Sequence, residues 1–452
     1  MKRIDLAKTP IFKLYFKFFI PSLCAMLALS TYNVVDGVFV GQKLGEDALA
    51  AIGIAWPVFP VLIAYELLFS IGAASLCAYH LGKNEAHKAR EIFSTVFYFA
   101  LFSGLIIGTI FYIYCDEMVL LLGANAKIAP LAAEYLRVIF LGAFVIVLHP
   151  LLDIFAMNDR RPVLAMVAMI VGAISNVILN YVFIFVFDLG LFGSALATIL
   201  GHFIGFLILL WHFVFRRGQI YFVLKFKLAS LFESAKNSLA QASAELSAAL
   251  VMLIANHLLM QISGSRAVAM YGVIMYSGII LFTTLLSASQ AIQPIASFNY
   301  GANLKQRVLK VLQFGLGFSL VVGFLLYILS VIFSKYLIIL FLQKDAAGNF
   351  DRVFLEDVRV AMMMYFAGFA LLGFNMAAAS FFQAVQKPLN SFIITISYTL
   401  LFVLLFFSIL PHFLGLNGIW LSYPLAQLCS FFISLAVLFY AFKKGILKEI
   451  CS

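Results

Sequence analysis

Runs of twenty or more apolar residues recur along the whole chain, and no other feature narrows its fold as far. Twenty residues is about what an α-helix needs to cross ~30 Å of hydrocarbon, and no interval between the runs could hold a large soluble domain. At 64% hydrophobic and 11% charged, the chain lies well above the roughly 45 to 50% apolar content of soluble domains. The sequence therefore predicts an all-α polytopic membrane protein. Twelve spans are expected, at about 11–42, 48–80, 91–114, 130–157, 162–187, 191–215, 238–263, 267–299, 307–333, 355–386, 389–411 and 416–442. The basic stretch Met1 to Lys17 leads into an apolar segment that reaches Val40 with Pro21 and Asp36 inside it, which is too long for a signal peptide.

With the amino terminus in the cytoplasm, 22 of the 30 lysines and arginines fall on the inner side, among them Lys2, Arg3, Lys444 and Lys448. Acids such as Glu46, Asp116, Asp188, Asp345 and Asp357 gather outside. This meets the positive-inside rule with both termini cytoplasmic. The net charge of +10 is thus explained by orientation and gives no sign of nucleic acid. The five cysteines, Cys24, Cys77, Cys115, Cys429 and Cys451, form no close pair and no Cys-x-x-Cys spacing, so neither zinc nor a disulfide framework is expected.

An internal repeat decides the architecture. Gly45, Ala48, Ala50, Gly53, Gly82 and Asn84 recur 219 positions on as Gly264, Ala267, Ala269, Gly272, Gly301 and Asn303. Pro162 recurs as Pro388 at an offset of 226, and Leu189-Gly-Leu-Phe-Gly193 as Leu414-Gly-Leu-Asn-Gly418 at 225. Each half then holds six spans. An even number brings both halves into the membrane the same way round, as parallel repeats about a pseudo-two-fold axis along the membrane normal, a plan common among transporters. The expected division is an amino-terminal lobe at 1–215, a cytoplasmic linker at 216–237 and a carboxy-terminal lobe at 238–452. A plain solvated loop is the better reading of the linker's basic residues.

The repeat also acts as an internal control. Asp36 sits in an apolar helix long enough to cross a bilayer, where even low estimates put an aspartate at a cost of about 2.5 to 3.5 kcal/mol. At offset 219 it falls on Ala255, and Glu66 falls on Leu285. Asn176, Asn180 and Thr198 also lose their character in the second half. Asn176 and Asn180, four apart, share a helical face and can line up with a carboxylate, either around a hard cation or as hydrogen-bonding partners of a proton carrier. Their bland reading is helix-to-helix hydrogen bonding. Glu66, deep in the second span, is a candidate for substrate contact or proton relay, against a structural reading as a buried glutamate. Glu245 is the matching candidate in the seventh span, with a snorkelling role as its alternative. His149 and Asp153 stand four apart near Asn158-Asp-Arg-Arg161, where an acid reads better as an ion-paired loop anchor than as a relay. His202, His212 and His257 read as isolated core or interfacial histidines. Methionines such as Met362-Met-Met364 offer adaptable apolar surface, which carries little weight in so apolar a chain.

Several motifs together resemble those of the multidrug and toxic compound extrusion (MATE) transporters, nearest their bacterial MepA-like branch. They are Asp36-Gly-Val-Phe-Val-Gly41 with Leu44-Gly45 and Ala50-Ala51, Leu81-Gly-Lys-Asn84, Asn176-Val-Ile-Leu-Asn180, Gly193-Ser-Ala-Leu-Ala-Thr198 and Gln293-Pro-Ile-Ala-Ser-Phe-Asn-Tyr-Gly-Ala302. The resemblance implies two six-helix lobes in the bacterial cytoplasmic (inner) membrane. It implies a secondary active exporter of cationic or amphipathic organic compounds by antiport with protons or sodium ions, rather than an enzyme. It assigns Asp36, Asn176, Asn180 and Thr198 to a cation or proton site, with Tyr135 as a neighbour. No cofactor is expected beyond a sodium ion at Asp36, and the partners are small organic substrates and membrane lipids, with the protein itself a monomer. Many relatives carry Asp where Asn180 stands, and this loss of a second carboxylate tilts the reading toward protons.

Two other readings compete. A flippase for a lipid-linked or amphipathic metabolite would want arginines inside the cavity, and only Arg266 offers one if it turns inward. A membrane-embedded acyl transferase using His149 and Asp153 lacks a nucleophile tied to them by sequence. An ATP-driven pump is disfavoured, since no Gly-x-x-x-x-Gly-Lys-Ser/Thr loop occurs.

Overall fold

A computed structural model describes residues 4–339 and 351–443; Lys2, Arg3, Asp345, Lys444, Lys448 and Cys451 lie outside the described residues. Its elements are helical throughout the described residues. The chain forms two compact units, the first of residues 1–242 with 297–303, the second of residues 243–296 with 304–452.

In the first unit α1 (Ile11–Leu44) is followed by α2 (Glu46–Ala55) and α3 (Val58–Gly82), which make one span broken at Trp56 and Pro57. Next come α4 (Ala86–Ile113) and a short α5 (Cys115–Leu121). Then α6 (Ala129–Leu141) and α7 (Ala143–Asn158) form one span bent by 51°. Helix α8 (Pro162–Tyr181) runs into a π-helical turn at Val182–Val186, and α9 (Gly190–Val214) closes the set. The 74-residue run α10 (Leu228–Gly301) would be about 111 Å long at 1.5 Å per residue, far beyond one bilayer. It is two helices that meet at Gly264, the one residue inside it with non-helical angles.

The second unit continues with α11 (Lys305–Ile339), α12 (Arg352–Phe366), α13 (Phe369–Ala384), α14 (Pro388–Ile396), a π-helical turn at Ser397–Leu401, α15 (Phe402–Leu414) and α16 (Leu416–Lys443). Counted as spans, these runs make the expected twelve, six from each repeat.

The repeat is written into the backbone as well as the sequence. Gly45 (φ 83°, ψ −168°) and Gly264 (φ 69°, ψ −159°), 219 apart, turn the chain between the first two spans of each half. Only a residue without Cβ enters that region freely. Asn84 and Asn303 share φ values of 61° and 56°, and Gly190 and Gly415 share 59° and 54°. At the first of these turns Glu85 accepts from His80 and Lys88 at 2.7 and 3.0 Å. The His80 hydrogen bond and then that of Lys88 pull its carboxyl down to about 2.

The linker's basic residues Arg216, Arg217, Lys225 and Lys227 are exposed, as a solvated loop requires, but its backbone is not free. Its later part is helical, α10 beginning at Leu228 rather than near 238. Its earlier part is strapped to the first unit: Val223 N–H donates to Ser94 Oγ (2.9 Å), Lys227 N–H to Thr95 Oγ1 (3.1 Å) and Gln219 N–H to Asp159 Oδ1 (2.8 Å). Phe222 packs on Phe93 and Phe97 at ring distances of 4.9 and 4.7 Å. The cations serve this strap too, Arg90 lying 4.0 Å over the Tyr221 ring and Lys225 pairing with Glu91 at 2.8 Å.

Gly45→Ala and Gly264→Ala should each lower stability by about 1–3 kcal/mol through backbone strain alone, since no atom stands within 4 Å of the added Cβ. Gly53→Ala, equally open but helical, should show no such loss. Thermal unfolding in detergent micelles reads the difference, and equal behaviour of the three variants would refute it.

Candidate functional site

Four helices of the first unit meet around Asp36. It sits on α1, which packs along α8 and α9, while α6 packs on α9. Ser194 Oγ donates to Asp36 Oδ1 at 3.1 Å, and Asn180 borders the same carboxylate. From there a ladder of neutral groups follows. Asn180 Nδ2 donates to Asn176 Oδ1 at 3.4 Å, Asn176 Nδ2 to Thr198 Oγ1 at 3.5 Å, and the Thr198 hydroxyl to the Ser194 carbonyl at 3.2 Å. The Tyr135 hydroxyl on α6 meets Thr198 and faces Asp36.

Asn176, Asn180, Ser194, Thr198 and Tyr135 are buried, and Asp36 is half-buried. The fold thus brings together Asp36, Asn176, Asn180, Thr198 and Tyr135, residues drawn from four spans. It adds Ser194, which sequence reasoning passes over although it stands four before Thr198, as Asn176 does before Asn180. One acceptor is left over, since Asn180 Oδ1 is buried with no hydrogen-bond partner. An unpartnered buried acceptor costs about 1–3 kcal/mol, so the cluster is suited to receive a donor or a cation. Its oxygens, one carboxylate with amide carbonyls and hydroxyls, are those that suit a hard cation or a proton carrier.

The other candidates lie elsewhere. Glu66 on α3 is 4% exposed, with the Asp153 carboxylate of α7 as its charged neighbour. Glu245, on α10 in the second unit, is half-buried. Arg266 does not serve an interior anion; it pairs with Asp357 at 3.1 Å and Asp351 at 3.6 Å, and all three side chains are exposed.

Two expectations are corrected. Asp153 is not the loop anchor, and its Oδ1 has no partner. Asp159, six residues nearer the helix end and so roughly 9 Å along the axis, takes that role. It binds His212 Nε2 at 2.8 Å and the backbone N–H groups of Gln219 and Ile220 at 2.8 and 3.3 Å. Nor are the histidines isolated: His212 binds Asp159, His257 Nε2 lies 2.9 Å from Gln261 Nε2, and His202 Nδ1 lies 3.1 Å from His149 Nδ1 with its Nε2 3.4 Å from the Tyr32 hydroxyl. A lone histidine in a span shows no partner in sequence when that partner lies 53 residues away.

A family model described as MatE matches residues 21–182 and 240–407. The chain is 30% identical over 191 residues to the multidrug export protein MepA of Staphylococcus aureus (strain bovine RF122 / ET3-1), an alignment spanning 42% of each. It is 30% identical over 217 residues to MepA of Staphylococcus saprophyticus, spanning 47% of each. The chain thus aligns with less than half the length of these relatives. Among solved structures, an outward-facing multidrug resistance MATE family transporter of the MOP superfamily superposes with a TM-score of 0.91 at 23% identity over 99% of both chains. A MOP superfamily transporter from Pyrococcus furiosus Vc1, for which a binding pocket of reversed polarity suggests a different function, superposes with a TM-score of 0.90 at 23% identity over 99% of both.

Asp159→Ala should destabilise the first unit by about 3 kcal/mol or more, because it leaves His212 and two backbone N–H groups buried without their acceptor. A fall in melting temperature in detergent is the expected reading, and an unchanged melt would show that the anchor contributes little.

Proposed function

Because the chain belongs to the MatE family, we propose that it is a secondary active exporter of cationic or amphipathic organic compounds, coupled to protons through the Asp36 cluster. The observation that carries this reading is the charge inventory of that cluster. Asp36 is its one formal charge, hydrogen-bonded by Ser194 at 3.1 Å and surrounded by the neutral side chains of Asn176, Asn180, Thr198 and Tyr135. A sodium ion favours several oxygen ligands together with charge compensation, and here a single carboxylate supplies it. A proton needs less. Protonated, Asp36 carries a donor for which the unpartnered Asn180 Oδ1 is a ready acceptor. Ionised, it keeps the Ser194 hydroxyl and can attract an organic cation. The two states differ by one charge at one half-buried place, which is the differential interaction that lets an ion bias a conformational equilibrium.

On this reading the protein works as a monomer in the bacterial cytoplasmic membrane, with both termini inside and the two lobes giving alternating access to the site. It has no catalytic step. Acyl transfer through His149 finds no support in the site, since that ring faces His202 rather than a hydroxyl or thiol. Export of a lipid-linked anion is the less supported alternative, with Arg266 held by two aspartates.

Efflux of ethidium, a cationic dye, from proteoliposomes tests the proposal under an imposed pH gradient and then under a sodium gradient at clamped pH. The pH gradient should drive it and sodium alone should not. Asp36→Asn, of the same size but unable to exchange a proton, should abolish driven efflux while the protein still inserts. Asn180→Asp should add sodium dependence by restoring a second carboxylate. Strong efflux on sodium alone in the parent protein would overturn the proton assignment.

A further inference from the structure

A second file of buried and half-buried polar groups leads away from Asp36 through the same unit. Tyr32 stands one turn before Asp36 on α1, so the two side chains share a face. The Tyr32 hydroxyl meets His202 Nε2 at 3.4 Å, and His202 Nδ1 meets His149 Nδ1 at 3.1 Å. One turn beyond His149 on α7 stands Asp153, the charged neighbour of Glu66 on α3. His149, Asp153 and Glu66 are 2%, 6% and 4% exposed. Each ends in a buried atom with no hydrogen-bond partner: His149 Nε2, Asp153 Oδ1 and Glu66 Oε1. Gly205 of α9 closes over the His149 ring, where an added methyl would overlap Nε2 and Cε1, and Gly172 of α8 stands at the distance at which a methyl would just touch Cε1.

The second unit shows what this place requires of the fold. Asn375 stands 226 positions after His149, and Gln427 stands 225 after His202. They too are joined, Asn375 Nδ2 donating to Gln427 Oε1 at 3.2 Å. A polar bridge between these two helices therefore belongs to the repeat itself, and neutral amides suffice for it. Imidazoles occupy it only in the half that carries Asp36. Asp153 and Glu66, for their part, fall on Ala379 and Leu285.

We propose that Tyr32, His202 and His149 form a proton relay joining the Asp36 carboxyl to the Asp153 and Glu66 pair, by which Asp36 unloads its proton. The proposal rests on proton coupling at Asp36. In the loaded state His202 Nδ1–H donates to His149 Nδ1, His202 Nε2 accepts from the Tyr32 hydroxyl, and His149 carries its proton on Nε2. Discharge moves the Asp36 proton to the Tyr32 oxygen while the Tyr32 proton passes to His202 Nε2. The His202 Nδ1 proton passes to His149 Nδ1, and the His149 Nε2 proton leaves toward the Asp153 carboxylate one turn away, with which Nε2 makes no hydrogen bond in this structure. One proton leaves Asp36, one arrives at the acid pair, and both rings remain neutral in the opposite tautomer.

The test uses the full-length protein in proteoliposomes, with ethidium as the transported probe and an entrapped pH dye reading proton movement. The double variant His149→Asn/His202→Gln installs the pairing that the second unit already uses, so it should melt and bind ethidium as the parent does. Its ethidium-coupled proton flux should fall by about a hundredfold or more, within the range that a positioned proton-transfer group contributes. Tyr32→Phe, which removes a single hydroxyl, should lower the flux in the same direction and covers the case in which the double variant fails to fold. Parental flux in a folded double variant, or in Tyr32→Phe, overturns the relay and leaves antiport at Asp36 standing. Absence of ethidium-coupled proton flux in the parent protein overturns proton antiport and the relay with it.

Discussion

Hydrocarbon offers no hydrogen bonds, so each polar group carried into the membrane must find its partner within the protein, and much of this molecule follows from that demand. It makes the spans helical. It confines broken backbone to places such as Gly45 and Gly264, where the chain turns between spans, and to the bend between α6 and α7. It also makes the interior polar groups conspicuous, since a side chain such as Asn180 or Glu66 is costly there without a use. Exposed charges pair as well, as in Lys43 with Asp188 at 3.2 Å, Lys127 with Asp47 at 2.6 Å and Arg137 with Asp116 at 2.6 Å.

The two halves meet this demand on one backbone plan with different side chains. In the second unit the corresponding helix bridge is made of neutral groups. Asn375 donates to Gln427, Gln427 Nε2 to the Tyr398 carbonyl at 3.0 Å, and Ser434 to Asn375 Oδ1 at 2.9 Å. Beside this network lie aromatic groups, Tyr365 stacked on Tyr423 with ring centroids 4.4 Å apart. In the first unit the equivalent depth holds acids, imidazoles and the Asp36 ladder. A duplicated scaffold has thus kept its turns and helix bridges while concentrating ionisable chemistry on one side.

Much of this was legible in the chain, for reasons that differ from residue to residue. Periodic apolar length marks the spans, and the 219-residue offset marks the turns because glycine and asparagine are held there by backbone geometry. Asn176, Asn180 and Asp36 stand out because such residues are rare in a span. Ser194 does not, since serine is common in membrane helices and only its spacing from Thr198 hints at a shared face. Tyr135 is visible through resemblance alone. The pairing of His149 with His202 is a property of how α7 and α9 pack, and no local pattern encodes it. The linker's straps escape notice for a similar reason: Ser94 and Thr95 are ordinary residues until a backbone N–H arrives from 129 and 132 positions away.

Those straps bear on how the molecule is made. The backbone groups of Gln219, Ile220, Val223 and Lys227 all find acceptors in helices that precede them in the chain. The ribosome therefore delivers the linker to partners already synthesised. Apart from residues 297–303, which join it later, the first unit is complete at Ala242 rather than at the end of α9. A nascent chain halted near Phe215 would expose Ser94, Thr95 and Asp159 without their donors, whereas one halted past Ala242 could close them. The strap's donors thus enter the chain only after the end of α9, an order that agrees with domains folding as units from the amino terminus.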